Sequence, residues 1–197
     1  GIYTLYAYDA AGRPVRTTRI GTNSSSVVIG GRGYDLAGRV IAETNALGGV
    51  TAYGYGYDEN GRAVVSVAYP DGGTRVESHY ADGRLAKVTG TAANPARYEY
   101  GVELEGGVYR EFTKQIVLGT DGSDTQEWTK TYSDALERPY KVVYADGAYK
   151  QSWFNEKGQL AMERDPDGVS TLYAYNDKGE LEYSVLDLDQ DGEIDLG

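Results

Sequence analysis

The chain has no cysteine among its 197 residues, one histidine, one methionine and two phenylalanines. Without cysteine there is no disulfide framework and no thiolate chemistry. The single histidine, His79, sits between Ser78 and Tyr80 on a strand pattern. No histidine metal cluster can form, and no Ser-His-acid set can be assembled from neighbouring positions, so His79 reads as a packed or surface strand residue. No run of 18 apolar residues is present, which excludes a membrane-spanning helix. No basic-then-apolar start precedes a cleavage site, so no signal peptide is read. Positive charge is scarce: 19 Lys and Arg stand against 30 Asp and Glu, a net charge of −11. That balance argues against nucleic-acid binding, which requires a basic stripe. The glycine-rich run Gly30-Gly31-Arg32-Gly33 is not followed by a helix pattern, so it reads as a bulge or loose turn, not a phosphate cradle. Carboxylate pairs can be drawn from any set of 30 acids, and no spacing singles out a glycosidase pair. No catalytic residue is expected.

What the chain does have is tyrosine, 19 residues of it, and 27 glycines. The tyrosines recur in one phrase, Tyr-x-Tyr-Asp-x-x-Gly-Arg. It stands at Tyr6-Ala7-Tyr8-Asp9-Ala10-Ala11-Gly12-Arg13 and at Tyr55-Gly56-Tyr57-Asp58-Glu59-Asn60-Gly61-Arg62, and shortened at Tyr34-Asp35-Leu36-Ala37-Gly38-Arg39. Weaker copies begin at Tyr173 and Trp153. A phrase copied this often marks a repeat architecture, which works as a surface or container.

Residues 165–186 show the unit most clearly. Asp165-Pro166-Asp167-Gly168 is a turn: proline presets φ and glycine accepts a positive φ. Val169, Thr171, Tyr173 and Tyr175 then alternate on one face, which is the strand period. Asn176-Asp177-Lys178-Gly179 is a second turn, opened by an Asx side chain and closed by glycine in the manner of a type I turn with a G1 bulge. Leu181, Tyr183 and Val185 alternate again. Each unit is thus a strand, a tight Asx-x-x-Gly turn, a strand and a looser turn. The tight-turn glycines at 12, 38, 61, 83, 158 and 179 step by 21 to 26 residues, except for a gap of 75. In that gap Glu137 replaces the glycine of one copy, and a divergent unit lies around Tyr98-Glu99-Tyr100-Gly101 with a turn at Glu105-Gly106-Gly107.

The expected fold is all-β: a repetitive antiparallel β-hairpin meander forming a curved open strip, about eight hairpin units over residues 1–186. A propeller needs blades of about 40 residues. Each tyrosine is expected to stack on its counterpart in the next hairpin. Asp9, Asp35 and Asp58 are expected to cap turns, and Arg13, Arg39 and Arg62 to lie over tyrosine faces or reach a carboxylate. An exposed aromatic ladder binding sugar rings is the competing reading of the tyrosines.

The phrase Tyr-Asp-x-x-Gly-Arg, with its second glycine turn and its period, resembles the YD-repeat or Rhs (rearrangement hot spot) family, over nearly all of residues 1–186. That family includes shell components of bacterial Tc toxins, polymorphic toxins and the teneurins. The resemblance implies a non-catalytic scaffold, a β-strip spiralling into a large shell that encloses or displays a toxin or adhesion domain. It implies a secreted or cell-surface parent of bacterial type, with the rest of the shell as partner. The chain begins inside a repeat and shows no clear version of the family's C-terminal core signature, so it reads as an excised piece. As an open strip it offers sheet edges for self-association. A carbohydrate- or protein-binding module using exposed tyrosines is the alternative function.

Residues 187–197 depart from the repeat. They carry five acids and no base, while the remaining 25 acids and 19 bases make an ordinary solvated surface. Asp187, Asp189, Asp191, Glu193 and Asp195, with Gly192 and Ile194, match the start of an EF-hand or dockerin calcium loop: acids at positions 1, 3, 5 and 9, glycine at 6, an apolar residue at 8. Hard oxygen ligands must converge on one ion, and only glycine makes the sharp bend. Glu193 at position 7 would ligate through its backbone carbonyl. Position 12 would be residue 198, so weak Ca2+ binding is expected here. A plain solvated acidic tail is the competing reading.

Overall fold

The computed structural model describes residues 1–194. Every regular element among them is a strand. The chain divides into two compact units, Gly1–Ala96 and the residues from Arg97 onward. In the first, β1 (Tyr3–Tyr8), β2 (Pro14–Ile20), β3 (Ser26–Tyr34), β4 (Val40–Asn45), β5 (Val50–Tyr57), β6 (Ala63–Ala68), β7 (Thr74–His79) and β8 (Leu85–Thr89) follow one another. Each pairs antiparallel with the next. In the second, β9 (Ala96–Glu105), β10 (Val108–Leu118), β11 (Asp124–Ser133), β12 (Pro139–Tyr144), β13 (Tyr149–Phe154), β14 (Leu160–Arg164), β15 (Ser170–Tyr175) and β16 (Leu181–Asp187) do the same. There β9 is hydrogen-bonded to β10, and the pairing runs antiparallel from β10 to β16. The all-β hairpin meander read from the period-two pattern is therefore the fold.

A single sheet layer buries little. In the first unit Ala86 and Val88 on β8 are buried, and in the second Ile116, Leu118, Tyr132 and Leu172. No large side chain among the described residues falls below 2% exposure. This is why tyrosine supplants phenylalanine: its ring covers the sheet while its hydroxyl stays wet or bonds a nearby carbonyl.

The turns are one device repeated. The amide of Asp9 donates to the Arg13 carbonyl and that of Gly12 to the Asp9 carbonyl, both at 3.0 Å. The same pair of bonds closes turns at Asp35, Asp58, Tyr80, Asp134, Asn155 and Asn176. The Asx side chain adds two bonds of its own: Asp58 Oδ1 accepts from the amides of Asn60 and Arg62, both at 2.9 Å. Ladder register shifts by one residue beside several of these turns, between Ala7 and Tyr8 and between Trp153 and Phe154 for example, which is the expected G1 bulge.

The expected alternation of tight and looser turns is not found. Turns opening at Asn45, Tyr69, Gly119, Tyr144 and Asp165 close with the same pair of backbone bonds. Each carries a positive-φ glycine at its fourth position, Gly48, Gly72, Gly122, Gly147 or Gly168, and that requirement, not the opening Asx, fixes the turn. Where Glu137 stands in place of glycine it still adopts φ 61°. The hairpin joining β9 to β10 differs, with Gly106 at φ 57° and Gly107 at φ 82°, the two consecutive positive values of a type I′ turn. The Gly30–Gly33 run is a bulged stretch of β3: Thr17 faces Gly30 while Thr18 faces Val28.

Candidate functional site

The repeat phrase folds into a clamp between consecutive hairpins. Arg13 Nε donates to Asp9 Oδ2 at 2.7 Å, and its guanidinium lies 4.6 Å over the Tyr34 ring. Tyr34 in turn donates its hydroxyl to the Pro14 carbonyl at 3.0 Å. Arg39 repeats this with Asp35 at 2.7 Å and Tyr55 at 4.4 Å, and Tyr55 bonds the Val40 carbonyl at 2.8 Å. Arg62 lies over Tyr80 and Arg138 over Phe154, at 4.9 and 4.2 Å. The stacking partner of these rings is thus the preceding hairpin's arginine, not the tyrosine-on-tyrosine stack expected. A guanidinium fixed by its own turn's carboxylate presents a flat cation to the ring's negative face. The turns are linked directly as well: Arg13 Nη1 reaches the Asp35 carbonyl at 3.4 Å, Arg138 Nη1 the Gly158 carbonyl at 3.3 Å, and Gln159 Nε2 the Gly179 carbonyl at 3.1 Å. Amide and guanidinium donors hold these carboxylates below the usual range, chiefly the Arg13 amide at Asp9, the Arg39 amide at Asp35 and the Arg138 side chain at Asp134. The geometry is architectural: each carboxylate is spent on its own turn.

A second constellation lies in the second unit and escaped the sequence reading. Glu103 on β9 accepts from Lys130 Nζ at 3.0 Å and from the Tyr132 hydroxyl, both on β11. Glu105 accepts from Tyr140 at 2.6 Å and from Lys141 at 2.7 Å, both on β12. Phe112 and Tyr132 meet edge-on at 6.3 Å, and the Tyr132 and Tyr140 rings are tilted to each other at 6.5 Å. Hydrogen bonding by Tyr132 and then Lys130 holds the Glu103 carboxyl low, and Lys141 and then Tyr140 do so for Glu105. Burial, then Glu105, pushes the Tyr140 phenol up to about 12. Burial likewise raises Tyr132, with Glu103 adding to it. Every carboxylate here has a cation and a phenol against it, so the cluster fastens the β9 arm over β11 and β12. It leaves no poised acid or base. Its one sequence signal was the same-face spacing of Glu103 and Glu105, and of Lys130 and Tyr132.

His79 Nε2 lies 3.8 Å from Glu77 Oε2. Ser78 is buried and, as the adjacent strand residue, points to the opposite face, so the two cannot act as nucleophile and base. An open groove of about 560 Å³ lies in the first unit, lined among others by Tyr6, Arg16, Gly30, Arg32, Glu43 and Asn45. Arg32 is paired to Glu43 at 2.8 Å, and Tyr53 bonds the same carboxylate at 2.9 Å.

Of the acidic-loop residues, Asp187, Asp189 and Asp191 are brought together, with one carboxylate oxygen from each within 4.8 Å of the others. Asp187 ends β16 opposite Ser170 of β15. It is only 7% exposed, and its Oδ1 is buried without a hydrogen-bond partner among the described residues. Glu193 is exposed, and its amide donates to Asp191 Oδ1 at 2.8 Å. Asp195 lies outside the described residues.

Residues 34–74 match the family model described as RHS Repeat. That segment, about a fifth of the chain, is thus similar to an RHS repeat. The matched segment holds the Asp35 and Asp58 turns; the same turn recurs from Asp9 to Asn176, and the clamp at Arg13, Arg39, Arg62 and Arg138. Among solved structures, a crystal structure of TcdB2-TccC3 without the hypervariable C-terminal region is similar at 16% identity and TM-score 0.46, over 93% of this chain and 11% of that one. A structure of TcdB2-TccC3-Cdc42 aligns at 14% identity and TM-score 0.31, over 94% and 12%. The chain therefore spans about a tenth of the length of these structures. No curated protein matches. Among the described residues no helix is long and apolar enough to cross a membrane.

Proposed function

We propose that the chain is a non-catalytic segment of a large RHS-repeat shell, in a secreted or cell-surface protein of bacterial type that encloses or displays a toxin or adhesion domain. The observation that carries this reading is the forward clamp, in which Arg13 grips Tyr34 and Arg39 grips Tyr55. Such a contact joins one hairpin to its neighbour, the nearest-neighbour bond from which an array is built. The repeat-model match supports the same conclusion. Electron microscopy of a longer polypeptide carrying this segment tests it. Continuous repeat strands walling an enclosed volume are expected. A free-standing compact domain, tethered beside other domains, overturns the reading.

A second reading, a carbohydrate- or protein-binding module, rests on the exposed Tyr3, Tyr6 and Tyr8 of β1 and on the neighbouring groove. A glycan array separates the two: saturable binding lost in Tyr6→Ala supports the module, and none supports the scaffold. The open β1 edge is also where self-association through strand pairing would occur.

A further inference from the structure

We infer that the loop from Asp187 to Glu193 is a calcium site that fastens the exit of β16. Asp187, Asp189 and Asp191 converge their carboxylates within 4.8 Å. Three anions so placed repel one another unless a cation lies between them. Exposed acids relieve such repulsion through water, and Asp189 and Asp191 are exposed. Asp187 is not: it is 7% exposed and its buried Oδ1 has no hydrogen-bond partner among the described residues. A buried, unpaired carboxylate oxygen is one of the more costly things a fold can contain. A divalent ion held among the three carboxylates offsets that penalty, because it places positive charge against the Asp187 carboxylate.

The chemistry selects calcium. All the candidate ligands are oxygens, three from carboxylates and one from the Glu193 carbonyl at the seventh position, which suits a hard cation. The loop is short and carried on a strand end, so it tolerates the irregular coordination calcium accepts better than the strict octahedron magnesium demands. Gly192 takes φ 77° at the sixth position, where the chain must bend so that the Glu193 carbonyl can turn toward the ion. Because Asp187 is also the last ladder residue of β16, facing Ser170, the ion would tie the departing chain to the sheet margin.

Hydrogen exchange of the 197-residue protein tests this, with CaCl2, MgCl2 or NaCl added at matched ionic strength. Saturable protection of the β16 amides is expected with calcium, with a midpoint on the order of 0.1 to 1 mM, as in extracellular calcium modules. At ten times the midpoint, exchange through local opening should slow about 10-fold. Asp187→Asn alone risks misfolding, so the companion variant is Asp189→Asn with Asp191→Asn, both at exposed positions, which should lose the response while keeping β1–β15 protection. No calcium-dependent protection at about ten times the upper midpoint, equal protection by NaCl, or an unchanged response in the double variant each overturns the site.

Discussion

The guanidinium of Arg39 lies 4.4 Å over the ring of Tyr55, one hairpin further along the chain, while its Nε is held 2.7 Å from Asp35 Oδ2. The arginine is thus positioned by its own turn and used by the next. A double-mutant cycle with Arg39→Ala and Tyr55→Leu should give a coupling of about 0.5 to 1 kcal/mol in urea unfolding. Arg39→Lys should recover less than half of it, because an ammonium lacks the flat face and the fork. Independent effects of the two substitutions would remove the clamp from the account of stability.

Glu137 occupies a left-handed position, φ 61°, that glycine fills in the parallel turns. Holding a side chain there costs about 1 kcal/mol. Glu137→Gly is expected to stabilise the second unit by up to that amount, read as a higher urea midpoint at an unchanged slope.

Gly90 presents the opposite case. At φ 118°, a Cβ there would fall 2.2 Å from the Thr74 carbonyl oxygen, and that oxygen also accepts the Ala92 amide at 2.8 Å. Backbone cannot step aside as a side-chain tip can. Gly90→Ala should destabilise the first unit by about 3 kcal/mol or more, visible as lost exchange protection in β7 and β8.

The Glu103 and Glu105 cluster sets pH limits on both sides. Both carboxyls are held below their ordinary value. The stability they contribute is full above the ordinary carboxylate range near ~4.3 and is lost as pH falls through the folded values. Tyr140 is pushed up to about 12. Its contribution is full below the ordinary phenol value near ~10 and is lost as pH climbs through about 12. Glu103→Gln with Glu105→Gln should make the acid limb shallower, the share of Asp9, Asp35 and Asp134 remaining, and Tyr140→Phe should do the same for the alkaline limb, the share of Tyr132 remaining, in urea midpoints measured across pH.

The legible and illegible parts divide by range. Asp9, Asp35 and Asp58 were readable as turn caps, because an Asx side chain and the amides it accepts lie within four residues. The strands were readable from their period. The arginine's partner was half legible: the residue type invited either a ring or a carboxylate, and the fold uses both at once. The β9 arm was not legible, because Glu103 meets Lys130 and Glu105 meets Lys141 across 27 and 36 residues. No local pattern encodes such a meeting. The acidic loop was legible as spacing, but the burial of Asp187 is a tertiary fact.

The clamp has a direction. Arg13 reaches Tyr34, Arg39 reaches Tyr55, Arg62 reaches Tyr80 and Arg138 reaches Phe154, in each case a residue later in the chain. An isolated hairpin is marginal in water, and each of these arginines finds its ring only once the following hairpin is in place. The array is thus polar: of two hairpins joined by a clamp, the earlier supplies the cation and the later the ring.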